Sequence, residues 1–336
     1  MAKRFVLSGY FGFKNFGDEE ILSVLVNKLQ NDRNTISIIS SDTEYTKSKF
    51  RHVNSFYTFD ILNILCLIRK SDVLVSGGGS LLQDVTSFKS LVYYLFIIFI
   101  ALCFRKKVII FAQGIGPINN ILGRFLTKSI LKHCFYISVR DNKSQELLSN
   151  WGIKADLLCD PIFCIKMPIL EKTKTVAIQL RNFRSMNEEF INKLATKVCE
   201  NFSDYEIEIL PFQNSIDLEV CKNFEKAIKF LNANMKVTLF DNLDNKEIIN
   251  RLAKSQYLIG MRFHSIIAGL LAKCKVLSIN YDIKVEKISK EFNLPMVDLN
   301  KEFGNSFDKL KNLDVEQTYS IVQQKQFDWT GFEKSI

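Results

Sequence analysis

Arg262 and His264 stand two residues apart in the run YLIGMRFHS (257–265), and Lys284 follows His264 by twenty residues in NYDIK (280–284). Read as a strand end, that spacing points both side chains to one side, with His264 at the start of the next helix. Fixed cations beside an imidazole that titrates near neutrality suit an anionic substrate whose bond breaking needs a proton. Lys284 follows the next apolar run, and a parallel sheet would set it beside the other two. A lone histidine more often serves packing; the neighbouring arginine and lysine give this one a chemical reading, which His52 and His133 lack.

Arg140 ends the run YISVR (136–140), with Asp141 and Ser144 where a helix would be capped. An arginine there can grip a carboxylate or phosphate through two parallel hydrogen bonds, or pair with a nearby Asp. Asp18 lies in GYFGFKNFGDEE (9–20), where Gly9, Gly12 and Gly17 lead from a strand into a helix. Glycines allow close backbone approach, and the first amides of a helix favour an anion. Asp18 or Glu19 would then be a base that takes a proton from a hydroxyl group, unless Asp18 only caps the helix. The spacing is neither that of a dinucleotide fingerprint nor that of a GxxxxGK loop. Two further glycine turns, Gly77-Gly78-Gly79-Ser80 and Gly114-Ile115-Gly116-Pro117, also end strand-like runs. In a parallel sheet both line the crevice at the strands' carboxyl ends, although turn geometry alone also uses such residues.

The elements that must position these residues alternate along the chain. Strand-like runs at 5–10, 35–40, 72–77, 108–114 and 136–140 are separated by helical stretches near 18–30, 81–104, 120–132 and 143–150. The pattern restarts with runs at 175–181, 205–212, 257–262 and 276–281, and helices near 187–201, 216–230, 245–255 and 264–273. Short apolar runs alternating with helical period are the mark of parallel βαβ units. Between the two series lies PIFCIKMPILEKTK (161–174), with two of the five prolines, as the expected linker. The chain of 336 residues should therefore be α/β: two doubly wound domains, over 1–165 and 166–336, with chemistry at a cleft between them.

Lys and Arg exceed Asp and Glu by nine, and residues 1–168 account for eight of that excess. The first half is thus expected to face something anionic, although solvated lysines alone would give the same balance. The eight cysteines form no CxxC pair, so reduced and mostly buried thiols are expected, with no metal. The opening MAKRFVLSGYFGFKNFGDEE lacks the long apolar region of a leader, which favours the cytoplasm. LVYYLFIIFIALCF (91–104) is shorter than the ~20 residues a membrane span needs, and reads as a buried helix or as one lying in a membrane surface ahead of Arg105, Lys106 and Lys107.

Together, GYFGFKNFGDEEIL, VSGGGSLLQDVTS, FAQGIGP, SVRDNKSQELLSNWGI, CDPIF, PFQ, GMRFHSIIAGLLA and NYDIKV resemble the bacterial polysaccharide pyruvyl transferase family, especially the branch that acts on cell-wall polymers. They run in order from about residue 8 to 295, over nearly the whole chain. The resemblance implies two Rossmann-like domains in a GT-B-like arrangement and transfer of pyruvate from phosphoenolpyruvate to a sugar as a ketal. It places Arg140, His264 and Lys284 at positions that handle phosphoenolpyruvate, and Arg262 at the arginine of the GMR-x-H element. On this reading His264 is the acid, Arg140, Arg262 and Lys284 clamp the donor, and Asp18 is the base. Gly12, Gly17, Gly77, Gly78, Gly79, Gly114 and Gly116 line the cleft on the acceptor side.

No cofactor is implied. The expected partners are phosphoenolpyruvate and a glycan acceptor; a lipid-linked acceptor at the inner membrane face, with peripheral contact, would account for the basic first half and the 91–107 segment. Phe263 and Ser265 depart from the Leu and Ala expected in GMR-x-H, and FDWTGFEKSI at the end has no counterpart, so it either packs back on the first domain or is loose. A glycosyltransferase using a nucleotide sugar and a non-catalytic anion-binding protein are the competing readings. Nucleic acid is not an expected partner, because the aromatic residues sit in apolar runs; oligomeric state is left open.

Overall fold

A computed structural model describes residues 2–183 and 186–336. Backbone contacts divide the chain into one unit of residues 1–164 with 326–336 and a second of 165–325.

In the first unit the elements follow one another as β1 (Arg4–Ser8), α1 (Phe16–Leu29), β2 (Thr35–Ser40), α2 (Thr43–Lys49), β3 (Val53–Tyr57), α3 (Ile61–Lys70), β4 (Val73–Gly77), α4 (Phe88–Cys103), β5 (Lys107–Gln113), α5 (Ile121–Leu131), β6 (Tyr136–Val139), α6 (Asn142–Asn150) and β7 (Asp156–Leu157). The sheet is parallel throughout, in the order β3-β2-β1-β4-β5-β6-β7. Strand order reverses between β1 and β4, paired from Phe5↔Val73 to Ser8↔Ser76, which places the ligand crevice of such a sheet at their carboxyl ends. The central strands are buried along nearly their whole length, which is why they read as unbroken apolar runs.

The second unit contains β8 (Thr173–Gln179), α7 (Glu188–Asn201), β9 (Glu206–Ile209), α8 (Asn214–Leu231), β10 (Val237–Leu239), α9 (Asn245–Lys254), β11 (Ser255–Gly260), α10 (Phe263–Leu271), β12 (Lys275–Asn280), α11 (Ile283–Glu291), β13 (Met296–Asp298), α12 (Ser306–Lys311) and α13 (Val315–Gln323). Its parallel sheet runs β10-β9-β8-β11-β12-β13, so the reversal lies between β8 and β11. The last helix, α14 (Thr330–Ser335), belongs to the first unit: Phe327, Trp329 and Phe332 surround the buried Phe111 of β5, with ring centroids 5.0–5.5 Å away.

Several expectations need correction. The helix expected over 81–104 begins only at Phe88, because Gln83 Oε1 accepts the N–H groups of Val85 and Thr86 and Ser87 caps α4, holding 83–87 as a turn. Residues expected at the start of the linker are folded into the first unit: Pro161–Cys164 form a 3₁₀ turn against α1, with Pro161 and Ile162 buried. Helix α4 is buried on one side only, and Val92, Phe96 and Phe99 are exposed on the other. Of the eight cysteines, Cys221 and Cys274 alone are buried, while Cys66 and Cys103 are exposed.

Candidate functional site

On the first unit, the turns after β1, β4 and β5 meet at the crevice. Asn15 caps α1, accepting from the N–H groups of Gly17 at 3.0 Å and Asp18 at 3.4 Å. The reading of Asp18 as the cap is thereby corrected. Its carboxylate instead sits over the glycine triplet, where a Cβ at Gly79 would lie 2.5 Å from Oδ1. With φ at +55° as well, Gly79 is doubly restricted to glycine. Gly79 in turn accepts from the N–H of Gly114 at 3.1 Å, and a Cβ at Gly114 would lie 2.6 Å from Ser80 Oγ and 3.4 Å from Arg140 Nε. Asp18, Ser80 and Arg140 are therefore gathered around two glycine turns packed against each other.

The remaining glycines do different work. Gly12 donates its N–H to Glu19 Oε1 at 2.7 Å, Gly17 is part of the first turn of α1, and Gly77 packs against Leu25. Gly116, with φ at +80°, donates to Leu82 O at 2.8 Å just before the cis Gly116–Pro117 bond.

Arg140 is held rigidly. Its Nη1 donates to Asp160 Oδ2 at 2.5 Å and its Nη2 to Ser80 Oγ at 3.0 Å, while Asp160 Oδ1 accepts the N–H of Ile162. Pairing with an Asp, the plainer of the two readings, is thus present, with a carboxylate twenty residues on.

Glu19, the other acid read as a base, is fully buried beneath Gly12. Burial pushes its carboxyl up to about 7, against the opposing pull of Lys49 and the Gly12 N–H, while the Asp18 and Glu20 charges push in the same direction as burial. Its Oε2 has no hydrogen-bond partner among the described residues. Burial, with Asp18 close by, also drives the Tyr94 phenol up. The sequence reading offered Asp18 or Glu19 as the base without choosing, since nothing in the run GDEE says which acid turns inward.

On the second unit, β11 ends at Gly260 and Arg262 is already the cap residue of α10, so the strand alternation invoked for Arg262 and His264 does not apply. Arg262 is nearly buried, and its Nε and Nη2 donate to Asp217 Oδ2 at 2.8 Å and Oδ1 at 2.6 Å. Asp217 is fully buried and also accepts the N–H groups of Phe212 and Gln213. Gln179, at the end of β8, accepts from the N–H of Arg262 at 2.7 Å and from Ser265 Oγ at 3.0 Å. Arg262 is therefore a built-in part of the domain, fixed by Asp217 and Gln179, two residues the motif reading did not single out. Ser265, the departure from the expected Ala, earns its place in this network through its hydroxyl.

His264 is half-buried at the second residue of α10, with its ring 5.3 Å from that of Phe263. Lys284, exposed, is the second residue of α11, whose cap Asp282 accepts its N–H at 2.9 Å. Because β11 and β12 pair through Gly260↔Ser278 and α10 packs beside α11, both residues open consecutive helices on one sheet edge. Arg181, just beyond β8, joins this edge: its Nη1 donates to Tyr281 Oη at 3.0 Å and its guanidinium lies over that ring. Its Nε is buried with no hydrogen-bond partner among the described residues. The run TVAIQLR contained this arginine, and its place at the end of an apolar run, like that of Arg140 in YISVR, is the signal that would have marked it.

Each unit is a doubly wound α/β domain with its polar residues at the carboxyl edge of the sheet, and the pair defines the GT-B class of fold. Solved structures agree on this. The chain matches the UDP-GlcNAc 2-epimerase of Methanocaldococcus jannaschii with a TM-score of 0.63 at 12% identity, over 96% of this chain and 99% of that one. A putative UDP-N-acetylglucosamine 2-epimerase of Listeria monocytogenes matches with 0.65 at 13%, over 96% and 91%. Anabaena HepE, solved with UDP-glucose, matches with 0.61 at 12%, over 96% and 93%. At these identities the likeness shows the fold alone. No curated protein matches the sequence significantly. The family model for polysaccharide pyruvyl transferase matches residues 15–283, and the chain belongs to that family of transferases.

Proposed function

We propose that this transferase moves pyruvate from phosphoenolpyruvate to two hydroxyls of one sugar in a cell-wall or exopolysaccharide precursor, releasing phosphate. The observation that carries the proposal is the placement of His264 and Lys284 at matching positions of α10 and α11, on the edge that also holds Arg181 and Arg262. Phosphoenolpyruvate presents a carboxylate and a phosphate, which Lys284 and Arg181 suit as donors, and Arg140 remains assigned to the same substrate by its match to the family motif.

In the reaction, His264 gives a proton to C3, turning the methylene into a methyl group and leaving C2 electron-poor. One sugar hydroxyl adds to C2 and loses its proton, the C2–O bond to phosphate breaks, and the second hydroxyl closes the ketal as it loses its own proton. One of those protons ends on phosphate and the other restores His264. Asp18 on the first unit, the acceptor side, is the assigned base for the hydroxyls. Arg262 supports this chemistry by holding the entry of α10, and so the backbone that carries His264.

The test is thermal stabilisation by phosphoenolpyruvate and by a panel of nucleotide sugars, with phosphate release measured on candidate acceptors. A ligand at ~100 times its dissociation constant adds about 2.7 kcal/mol. Stabilisation by phosphoenolpyruvate that Lys284→Ala removes is the expected result. Stabilisation by a nucleotide sugar instead would make the protein a glycosyltransferase.

A further inference from the structure

Helices α3, α4 and α5 lie side by side on one face of the first unit's sheet. Tyr93 Oη donates to Thr58 O at 2.9 Å, tying α4 to the lead-in of α3, and a Cβ at Gly123 would lie 3.1 Å from Leu91, so α5 is pressed against α4. The outward side of this layer is apolar: Leu62 is 77% exposed, Phe99 49% and Phe125 65%, with Phe59, Phe96 and Ile121 among them. A patch of this kind on a soluble face marks a docking surface.

Its charge says what docks there. From residue 85 to residue 140 the chain contains no Asp or Glu and eight Lys or Arg. No acid occurs in α3, α4 or α5 themselves. A protein partner would ordinarily be met with charges of both signs in balance, whereas a rim dominated by Lys and Arg, with Asp60 at the cap of α3 and Asp84 ahead of α5 as its acids, set around exposed Phe, Leu and Ile, is complementary to anionic lipid headgroups over hydrocarbon. We propose that the outer face of α3, α4 and α5 docks on an anionic membrane surface, as a peripheral contact. Among the described residues no helix is long and apolar enough to cross a membrane.

The direction of the layer gives the docking a use. In a parallel sheet each crossover helix runs back against its strands, so α3, α4 and α5 all start at the carboxyl edge. Phe59, Leu62, Val92, Ile121 and Phe125 cluster at those starts, on the edge where the glycine turns stand. Docking by this face brings the glycine turns close to the headgroups, the level at which the sugar of a lipid-linked acceptor would be presented. The surface itself does not depend on the reaction proposed above.

The test is co-sedimentation of the full chain with vesicles of phosphatidylcholine alone or mixed with phosphatidylglycerol. Binding is expected to need the anionic lipid and to fall in about 0.5 M salt, where screening is strong. Leu62→Ser with Phe99→Ser and Phe125→Ser should lower the bound fraction roughly tenfold or more. Phe230→Ser on α8, which removes a 90% exposed phenylalanine from the second unit, should change nothing. If the triple variant does not fold, Lys89→Glu with Lys132→Glu reads the charged rim separately and should give the same loss. A wild-type chain that stays in the supernatant with anionic vesicles at low salt would overturn the proposal. So would a dimer in sedimentation velocity that the triple variant dissolves without any vesicle binding, because the face would then belong to a second copy.

Discussion

Glu19 and Asp217 are two buried acids handled in opposite ways. Asp217 is charge-paired with Arg262 and accepts backbone N–H groups as well, so removing its charge leaves a buried guanidinium uncompensated. Asp217→Asn is expected to cost about 3 kcal/mol in urea unfolding, within the range for breaking one side of a buried pair. Glu19 has its carboxyl pushed up to about 7. It binds a proton in the folded state where the unfolded chain has lost it. Its stability contribution is complete below the unfolded value near 4.5 and is lost as pH rises through about 7. Wild type should therefore lose roughly 3 kcal/mol more than Glu19→Gln between pH 5 and pH 8, measured as the difference between two urea titrations. A pH dependence equal in both proteins would show that Glu19 is charged throughout. Neither behaviour is visible in the residue string: the partner of Arg262 lies 45 residues earlier, and the Glu19 carboxylate is held inward by the N–H of Gly12.

At the scale of elements, the strands that a reader of the sequence finds are those buried on both faces. The run at 35–40 coincides with β2, that at 72–77 differs from β4 by one residue at its start, and that at 108–114 differs from β5 by one residue at each end. Strands β3, β7, β10 and β13 went unseen because they lie toward the sheet edges and mix polar with apolar residues, as in VNSFY and VTL, and the last three are only two or three residues long. Helix α3 was missed for a different reason: ILNILCLIRK is apolar at seven of its ten positions, a run that periodicity alone does not separate from a buried strand, and it follows an unseen strand. The glycine turns were legible, yet their mutual contact was not, since it joins residues 79, 80 and 114 with Arg140. Gly79→Ala tests that contact. A φ of +55° and a carboxylate 2.5 Å from the new methyl should together cost about 2 kcal/mol and displace Asp18. Pyruvyl transfer should fall with it, while stabilisation by phosphoenolpyruvate, assigned mainly to the other unit, should persist.

For the whole molecule, each unit has its own apolar core, one running from Val6 to Ile153 and the other from Val176 to Leu310. The first also depends on α14, because Phe332 is fully buried against Phe111. Phe332→Ala should cost about 3–5 kcal/mol in that unit. Hydrogen exchange is the suitable readout, since amides of β5 and β6 should open at least about a hundredfold more often while those of β8 and β11 keep their protection. Equal loss in both sheets would mean that the units unfold as one.

The path of the chain has a consequence during synthesis. Residues 327–332 emerge from the ribosome after the whole of the second unit, yet they close the packing around Phe111 in the first. The domain that is translated first is thus the last to be finished, and β5 keeps an apolar flank uncovered while roughly half of the polypeptide is still being made. A chain cut before residue 327 is accordingly expected to complete its second domain while its first stays open at β5.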